Sequence, residues 1–332
     1  MSLRMVLALA LLVGLVYLVG ASDVLHVLAR IEPQYIVYLL LLSVVLIWVS
    51  CVKWRLFIRA WGHDASVLHL MKIYTITYFY NVFAPSFLMG DLARSYHLGK
   101  KLENQRDAFV ATFLERLTGL LAMVLLGTMF VAVGARATNG VEAAILAAAF
   151  LVLVASLVLF SEMAYNFATS IALSLTRLCG LKKITAKLEK LFSEISKAVD
   201  TARRNEALFA KAMLWSVFFH FGTVVNTYVA ARAIGWENPD FGGLCIIVPL
   251  VLLVGIAPIT PSGIGIQEGA FMFFLQRIGA TRPESLGVGL VLRAKMLVTG
   301  FVGYCLWLTL KRHKSTDAED STGILAQEKL AE

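Results

Sequence analysis

Long runs of apolar residues alternate along the chain with short segments that hold most of the charged side chains. A helix needs about 20 apolar residues to cross a bilayer, and several of these runs approach or exceed that length. Continuous runs such as 35–51 and 143–160 favour helices over the alternating pattern of barrel strands. The pattern predicts an all-α polytopic membrane protein with about six full spans, near residues 5–20, 35–51, 108–134, 143–160, 209–233 and 287–310.

Proline and glycine interrupt two further hydrophobic regions, 73–90 and 242–279. Basic segments flank the first region on both sides, whereas poorly basic turns flank the second. Because Lys and Arg accumulate on the cytoplasmic side of a membrane, we expect 73–90 to enter and leave from the cytoplasm and 242–279 from the external face. The pattern leaves open whether 242–279 is a re-entrant hairpin or two full spans.

The composition indicates a protein that is embedded in a membrane. Of 332 residues, 59% are hydrophobic and 16% are charged, whereas about a quarter of the residues in a soluble domain are charged. The net charge is +8, and the basic residues lie mainly in the connections, which indicates anionic lipid headgroups rather than nucleic acid as the partner. The same distribution predicts a cell (inner, cytoplasmic) membrane location with both termini cytoplasmic.

The broken regions occupy corresponding places in two halves of the chain, about 1–140 and 141–312. Each half has two spans, a broken region and a third span, and because three is odd the second half is inverted. This arrangement needs 5–20 as a span, although Gly20-Ala21 after that run also permits a cleaved signal peptide. Inverted repeats with broken helices at equivalent positions indicate a transport site at the repeat interface. A faint internal match pairs Pro85, Gly90 and Asp91 with Pro258 or Pro261, Gly265 and Glu268.

Two segments outside the spans carry further expectations. In 181–205, apolar residues recur at alternating spacings of three and four among many lysines, which predicts an amphipathic cytoplasmic helix. Such a helix either packs on the bundle or in a short coiled coil, or lies on anionic lipid. After a membrane domain of 1–312, residues 313–332 are polar and aperiodic, which predicts a disordered cytoplasmic tail.

The first broken region holds a proline, a glycine, an acid and a base in one short stretch. Pro85 ends a helix, and Gly90 permits a turn before a new helix that Asp91 can cap. The free N–H groups of that helix start favour an anion, and Arg94 one turn later adds a phosphate-compatible guanidinium. The alternative is that Asp91 only caps and Arg94 only reaches cytoplasmic headgroups.

The second broken region combines Pro258, Pro261, Gly263 and Gly265, so a continuous helix there is nearly excluded. Irregular backbone at membrane depth is tolerated only where protein or a water-filled cavity covers it. We expect its unpaired amides, and those of the helix that starts near Glu268, to face a polar guest. The alternative is a structural hairpin tip whose backbone is satisfied by its neighbours.

Four charged residues lie well inside predicted spans, away from their ends: Glu115, Arg116, Arg293 and Lys295. Each such charge costs roughly 2.5–3.5 kcal/mol at the bilayer centre, so each needs a partner. We expect a membrane-buried groove with at least two cations and a carboxylate. Extension of the basic side chains to the membrane surface is the alternative.

No motif indicates an enzyme. The Gly99-Lys100 pair lacks the earlier glycine of a phosphate-binding loop, because position 94 is Arg. Neither a Ser–His–Asp nor a His-Glu-x-x-His arrangement is visible, and the four cysteines have no paired spacing. We therefore expect no catalytic residue, no metal site and no cofactor.

Three motifs, in order, resemble the transmembrane family of the lysylphosphatidylglycerol synthase flippase domain. Pro85 through Arg94 is similar to the family's Pro-x3-Gly-Gly-Asp-x2-Arg, with Met89 replacing the first Gly. Glu115 through Gly119 is similar to its Glu-Arg-x2-Gly element. Pro258 through Glu268 is similar to Pro-x-Thr-Pro-Gly-Gly-x-Gly-x2-Glu, with Ser262 replacing a Gly. The resemblance covers about 1–312 and implies a stand-alone member, without the soluble synthase domain, that moves a lipid between leaflets.

Repeat, broken regions and buried charge together predict a flippase-like translocase for a phospholipid, glycolipid or polyprenyl-linked lipid, and not an enzyme. One alternative is a non-transporting accessory subunit that docks a lipid-modifying enzyme through the amphipathic helix. Another is an integral-membrane transferase that uses Asp91 or Glu268 as a base. The expected roles are phosphate binding by Arg94, Arg116, Arg293 and Lys295, and charge balance or proton coupling by Asp91, Glu115 and Glu268.

Overall fold

The computed structural model describes residues 3–83, 88–134, 140–178, 182–257 and 259–331. Over these ranges the chain forms thirteen α-helices and two short 3-10 turns, and no strand. The protein is therefore an all-α polytopic membrane protein, as the apolar runs predict.

The first half of the chain contains six helices. The first two are bent by 88° at Gly20, whose φ of 102° suits a residue without a side chain. Asn104 begins the sixth helix by accepting a hydrogen bond from the Asp107 N–H group. The helices are α1 (Leu3–Val19), α2 (Ala21–Ala29), α3 (Pro33–Ala60), α4 (Val67–Phe83), α5 (Leu88–Leu102) and α6 (Gln105–Ala132).

The second half contains seven helices. Asn205 caps the fourth of them through the Leu208 N–H group, as Asn104 does in the first half. The helices are α7 (Val141–Phe160), α8 (Glu162–Leu178), α9 (Lys182–Arg204), α10 (Glu206–Ala233), α11 (Phe241–Ile256), α12 (Ile266–Leu275) and α13 (Arg282–Ala331), with 3-10 turns at Pro261–Gly263 and Gln276–Ile278.

The helix α13 continues through 313–331, and the predicted disorder of this tail stays a prediction. A helix extends more easily than it starts, and this segment holds no proline and many helix-forming Ala, Glu, Leu and Lys residues.

Four helices are long and apolar enough to cross a membrane, namely α3, α6, α10 and the segment Arg282–Thr309 of α13. Each has 28 residues and so a length of about 42 Å. The bent pair α1 and α2 makes a fifth candidate. The predicted number of about six spans stays a prediction.

Each broken region forms a helical hairpin, α4 with α5 and α11 with α12. The ten residues of α12 extend only about 15 Å, half of a hydrocarbon core, so this arm cannot cross the membrane alone. Of the two alternatives for 242–279, these lengths favour the re-entrant hairpin. Residues 84–87 and 258 are outside the described residues, so the expected helix breaks at Pro85 and Pro258 are not described.

The helices of the two halves pack reciprocally. The second spans, α3 and α10, pack against each other. The first arm of each hairpin packs on the last span of the other half, α4 on α13 and α11 on α6, whereas the second arms α5 and α12 pack on the last spans of their own halves. This reciprocal pattern supports the inverted repeat.

The amphipathic helix α9 packs on the bundle, against α6, α7, α8 and α10. The Tyr165 hydroxyl donates to the Phe192 carbonyl at 2.6 Å, and Val199 is buried. Of the alternatives for 181–205, the structure therefore favours packing on the bundle over lying on the lipid surface.

We predict that Gly303→Ala destabilises the protein by about 1–3 kcal/mol, because the new side chain cannot fit between α13 and α4. A Cβ at this buried position would lie 2.2 Å from the Thr75 carbonyl oxygen, and backbone cannot swing aside. Gly14→Ala is the control, since a Cβ there meets nothing within 4 Å. Thermal unfolding in detergent measures both variants. Equal melting temperatures for the two would contradict the packing of α4 on α13.

Candidate functional site

One cavity of about 300 Å³ lies among the spans and both hairpins, and both halves of the chain line it. It brings together six of the seven charged residues predicted for the site, together with Lys53. Arg94 does not line the cavity and lies behind its wall. The charged side chains of the wall are Lys53, Asp91, Glu115, Arg116, Glu268, Arg293 and Lys295.

Asp91 joins the first hairpin to the last span of its half. Its carboxylate accepts two hydrogen bonds from Arg116, Nε to Oδ2 at 2.6 Å and Nη2 to Oδ1 at 2.8 Å. Arg94 Nε lies 2.9 Å from Asp91 Oδ1. The two bonds to Asp91 hold this guanidinium in place, and the Arg116 side chain lines the cavity and is 41% exposed.

Glu115 lies between two cations that are fully enclosed by protein. Lys53 Nζ is 2.8 Å from Oε1, and Arg94 Nη2 is 2.6 Å from Oε2. The side chains of Lys53, Arg94 and Glu115 are 2%, 1% and 5% exposed. The Arg94 guanidinium also lies 5.2 Å from the Trp54 ring and 5.0 Å from the Tyr74 ring. Arg94 therefore neutralises carboxylates in place of the expected direct contact with a phosphate.

The sequence analysis missed Lys53, which it counted among the cytoplasmic basic residues that follow a span ending at 51. In the structure α3 continues to Ala60, so Lys53 is the twenty-first of its 28 residues. A signal was present: Trp54, Phe57 and Ile58 continue the apolar face beyond the lysine, and all three are buried.

Two expectations for the first hairpin were wrong. Asp91 is not a cap, since α5 begins by Leu88 and the carboxylate is bound by arginines. Gly90 lies inside that helix, where a Cβ would be 2.1 Å from Asn81 Oδ1. Glycine serves here for close packing of α5 on α4 rather than for a turn.

A second network joins α12 to α13. Arg293 Nε is 2.5 Å from Glu268 Oε1, and its Nη1 donates to the Ser262 carbonyl at 2.9 Å. Its Nη2 donates to Gln267 Oε1 at 3.2 Å. The second carboxylate oxygen of Glu268 accepts from the Gly265 N–H group at 2.7 Å, which starts α12. One arginine thus fixes the turn, the helix start and the acid.

The turn before α12 has three residues in the left-handed region, with φ of 53° at Ser262, 67° at Gly263 and 80° at Gly265. Glycine suits such angles, which agrees with the glycine of the family pattern that Ser262 replaces. Contrary to the expectation of free amides, the N–H groups of Gly263, Ile264 and Gly265 are all bonded within this turn. At these three positions the backbone is satisfied by its neighbours, so these amides are not presented to the cavity.

The two networks repeat the same plan. Asp91 precedes Arg116 by 25 residues, and Glu268 precedes Arg293 by 25 residues. Each arginine is the twelfth residue of its helix, α6 or α13. The sequence analysis found all four residues from their spacing, but it assigned neither pair.

Lys295 differs from the other cations. Its Nζ donates to Asn226 Oδ1 at 2.8 Å, and across the described ranges it has no carboxylate partner. Asn226 is the twenty-first residue of α10, as Lys53 is of α3. The position that carries a cation in one half therefore carries a neutral amide in the other.

Charges around the cavity do not cancel. The two networks with Lys295 contain five cations and three carboxylates, an excess of two positive charges in the part of the chain that the structure describes. Further polar groups that the sequence analysis did not identify line the wall, namely Asn81, Thr223, Asn226, His220 and Gln267. Within the described residues no group of three His, Cys, Asp or Glu side chains is arranged to hold a metal ion. The cavity is chemically suited to an anion.

We predict that Glu115→Gln destabilises the fold by about 3–5 kcal/mol, because it leaves Lys53 buried without a carboxylate and leaves Arg94 with Asp91 alone. Asp64→Asn is a matched control, since Asp64 also accepts from two cations, Arg55 and Arg59, but its side chain is 55% exposed. The Arg55 guanidinium, which has the larger effect, and the Arg59 guanidinium hold the pKa of Asp64 well below its ordinary value. Asp64 is therefore ionised at neutral pH, like the carboxylate of an ion pair.

Thermal unfolding in detergent at pH 7 measures this difference. Water screens the exposed control pair, so we expect no measurable change for Asp64→Asn. If both variants unfold at the same temperature as the unchanged protein, the Glu115 network is not a buried ion cluster.

Comparison with known proteins finds membrane proteins. A UPF0104 membrane protein of Methanocaldococcus jannaschii is 21% identical, over 94% of this chain and 95% of its own length. A UPF0104 membrane protein of Methanothermobacter thermautotrophicus is 25% identical, over 82% of this chain and 83% of its own. No solved structure matches at a significant level. The family described as the lysylphosphatidylglycerol synthase TM region matches residues 5–303, and the chain belongs to that family.

Proposed function

We propose that this protein moves a lipid with an anionic headgroup between the two leaflets of a membrane. The observation that carries the proposal is the positively charged cavity that both halves of the repeat line. A headgroup phosphate cannot enter hydrocarbon without a large desolvation cost, and a cavity of this kind replaces the lost water with cations and polar groups.

The depth of the charges supports this function. Arg116 and Arg293 are each the twelfth residue of a 28-residue span, so each lies about 17 Å along a helix of about 42 Å. If the repeat is inverted, these distances are measured from opposite surfaces, and both arginines lie close to the middle of the membrane. That is the depth where an unassisted headgroup meets the highest barrier.

The family supports a lipid as the substrate, because its name links this membrane region to an enzyme of lysylphosphatidylglycerol synthesis. We infer that the headgroup occupies the cavity while the acyl chains stay in the surrounding lipid. Arg116, Arg293 and Lys295 contact the phosphate, and Asp91 and Glu268 hold the two arginines in position.

The remaining charged residues act indirectly, by holding the helices around the cavity in place. Arg94 and Lys53 neutralise Glu115, which fixes α3, α5 and α6 around the cavity. Movement between leaflets then requires the cavity to open alternately to each side, which rocking of one half against the other provides.

We further propose that the protein lies in the cytoplasmic membrane with both termini in the cytoplasm, since most Lys and Arg residues lie in the connections on that side. In a background without native cysteines, a cysteine at Lys100 should react with an impermeant maleimide only after the cells are opened. A cysteine at Asn238 should react in intact cells. Both positions are exposed in the fold. Labelling of position 100 from outside would contradict the re-entrant first hairpin.

For the transport function, we expect purified protein in vesicles to expose a fluorescent phosphatidylglycerol of the inner leaflet to dithionite, with no covalent change in the lipid. Arg116→Ala should lower the rate by at least about tenfold, because it removes a charge-assisted contact. Arg59→Ala is the control, since its side chain is 54% exposed and outside the cavity.

Other results of the same assay have a defined meaning. A modified lipid recovered by mass spectrometry would show a transferase instead. Unchanged lipid without movement, from protein that unfolds normally, would favour an accessory subunit. Equal rates for Arg116→Ala and Arg59→Ala would remove the cavity from the transport path.

A further inference from the structure

Lys295 and Asn226 carry more N–H donors than there are hydrogen-bond acceptors for them among the described residues. An ammonium group has three N–H donors, and the Asn226 carbonyl accepts one of them. Because an ammonium group cannot accept, this contact also fixes the orientation of the amide, with Oδ1 towards Lys295. The Asn226 NH₂ group then has two donors without an acceptor in the described part of the chain, and both residues line the cavity.

Gln267 adds to this set from α12, the second arm of the hairpin in the same half. Its Oε1 accepts from Arg293 Nη2, so its NH₂ group is also left as a donor in the cavity wall. Three residues on α10, α12 and α13 thus present N–H groups and no free carboxylate. A site of this composition selects an acceptor with several oxygens and a negative charge.

Comparison with the first half shows what such an acceptor replaces. There the lysine of the second span, Lys53, meets the carboxylate of Glu115 at 2.8 Å. In the second half the second span carries the neutral Asn226 at the position of Lys53, and the lysine, Lys295, lies on the last span and meets that amide. Of the two excess positive charges, Arg94 is enclosed between aromatic rings outside the cavity, and Lys295 lines it.

Lys295 cannot escape to the membrane surface. It is the fourteenth of the 28 residues in the spanning part of α13, about 20 Å from either end, whereas a lysine side chain extends only about 6 Å. Its charge is therefore held at membrane depth, where an anion in the cavity would compensate it.

We propose that Lys295, Asn226 and Gln267 form the subsite for the phosphate group, and that this subsite selects lipids with a net negative headgroup over zwitterionic ones. The identification of the phosphate as a lipid's rests on the proposed function, whereas the anion site rests on the donors alone. In this view Glu115 is a permanent internal anion for the first half, and the ligand phosphate takes that role in the second.

The test measures binding by calorimetry in a neutral detergent, so that it does not depend on transport. Dihexanoyl phosphatidylglycerol should bind at least about tenfold more tightly than dihexanoyl phosphatidylcholine. Lys295→Gln should weaken phosphatidylglycerol binding by about 10- to 100-fold, and Lys295→Arg should restore most of it. Lys101→Gln, which removes one exposed charge at the end of α5, should leave binding unchanged.

The Asn226→Asp variant distinguishes an effect on binding at the subsite from an effect on the stability of the fold. It supplies the missing carboxylate beside Lys295, so the protein should melt no lower than the unchanged protein and yet lose phosphatidylglycerol binding by at least about tenfold. Tight binding by a well-folded Asn226→Asp variant, or equal binding of the two lipids by the unchanged protein, would overturn the proposal.

Inorganic phosphate separates the two sources of the anion. If it binds with the same dependence on Lys295 and neither lipid does, the anion site stands and the lipid translocase fails. If phosphatidylglycerol binds in this way but vesicles show no movement of lipid, the subsite stands and only the transport function fails. If Lys295→Gln binds with the same affinity as the unchanged protein, the proposed subsite is wrong, independently of the result of the transport assay.

Discussion

The arginine–carboxylate pairs Asp91–Arg116 and Glu268–Arg293 are the interactions on which the arrangement of this membrane domain depends. An arginine in the middle of a span is costly unless a carboxylate reaches it at membrane depth. Neither span supplies that acid on its own face. A hairpin that enters the membrane part of the way does so, which explains why each hairpin's second arm packs on the arginine-bearing helix of its own half.

The first arms of the hairpins explain why two such pairs share one cavity. Each first arm packs on the last span of the opposite half, so neither half can form its ion pair at a distance from the other. The close fit of α4 on α13 requires glycine at 303, where any side chain would meet the Thr75 carbonyl. Local ion pairing and reciprocal packing together bring charges from opposite halves to the same cavity wall.

The helices, the hairpins and most of the charged site followed from the sequence, because apolar runs, prolines and in-span charges are local features. The pairing of those charges did not follow, since it depends on which helices meet. Lys53 was missed because a charge was taken as the end of a span. The ion pair with Glu115 neutralises this lysine, so α3 continues past it as a buried helix. Asp91 resembled a helix cap and Arg94 a phosphate ligand. In the structure the Asp91 carboxylate pairs with Arg94, and the Arg94 guanidinium also pairs with Glu115. Sequence spacing identified the residues, and tertiary packing decided their roles.

The two halves are alike in their arginine pairs and unlike in their lysines, and this difference matters physically. A cavity whose every cation met a carboxylate would give an incoming phosphate no electrostatic gain. A cavity with several unpaired cations would cost more than the fold can sustain. The Lys53–Glu115 pair makes one half structural, and the neutral Asn226 beside Lys295 leaves a single charge that the fold can hold and an anion can satisfy. The duplicated plan thus pairs its lysine with a carboxylate in one half and with a neutral amide in the other.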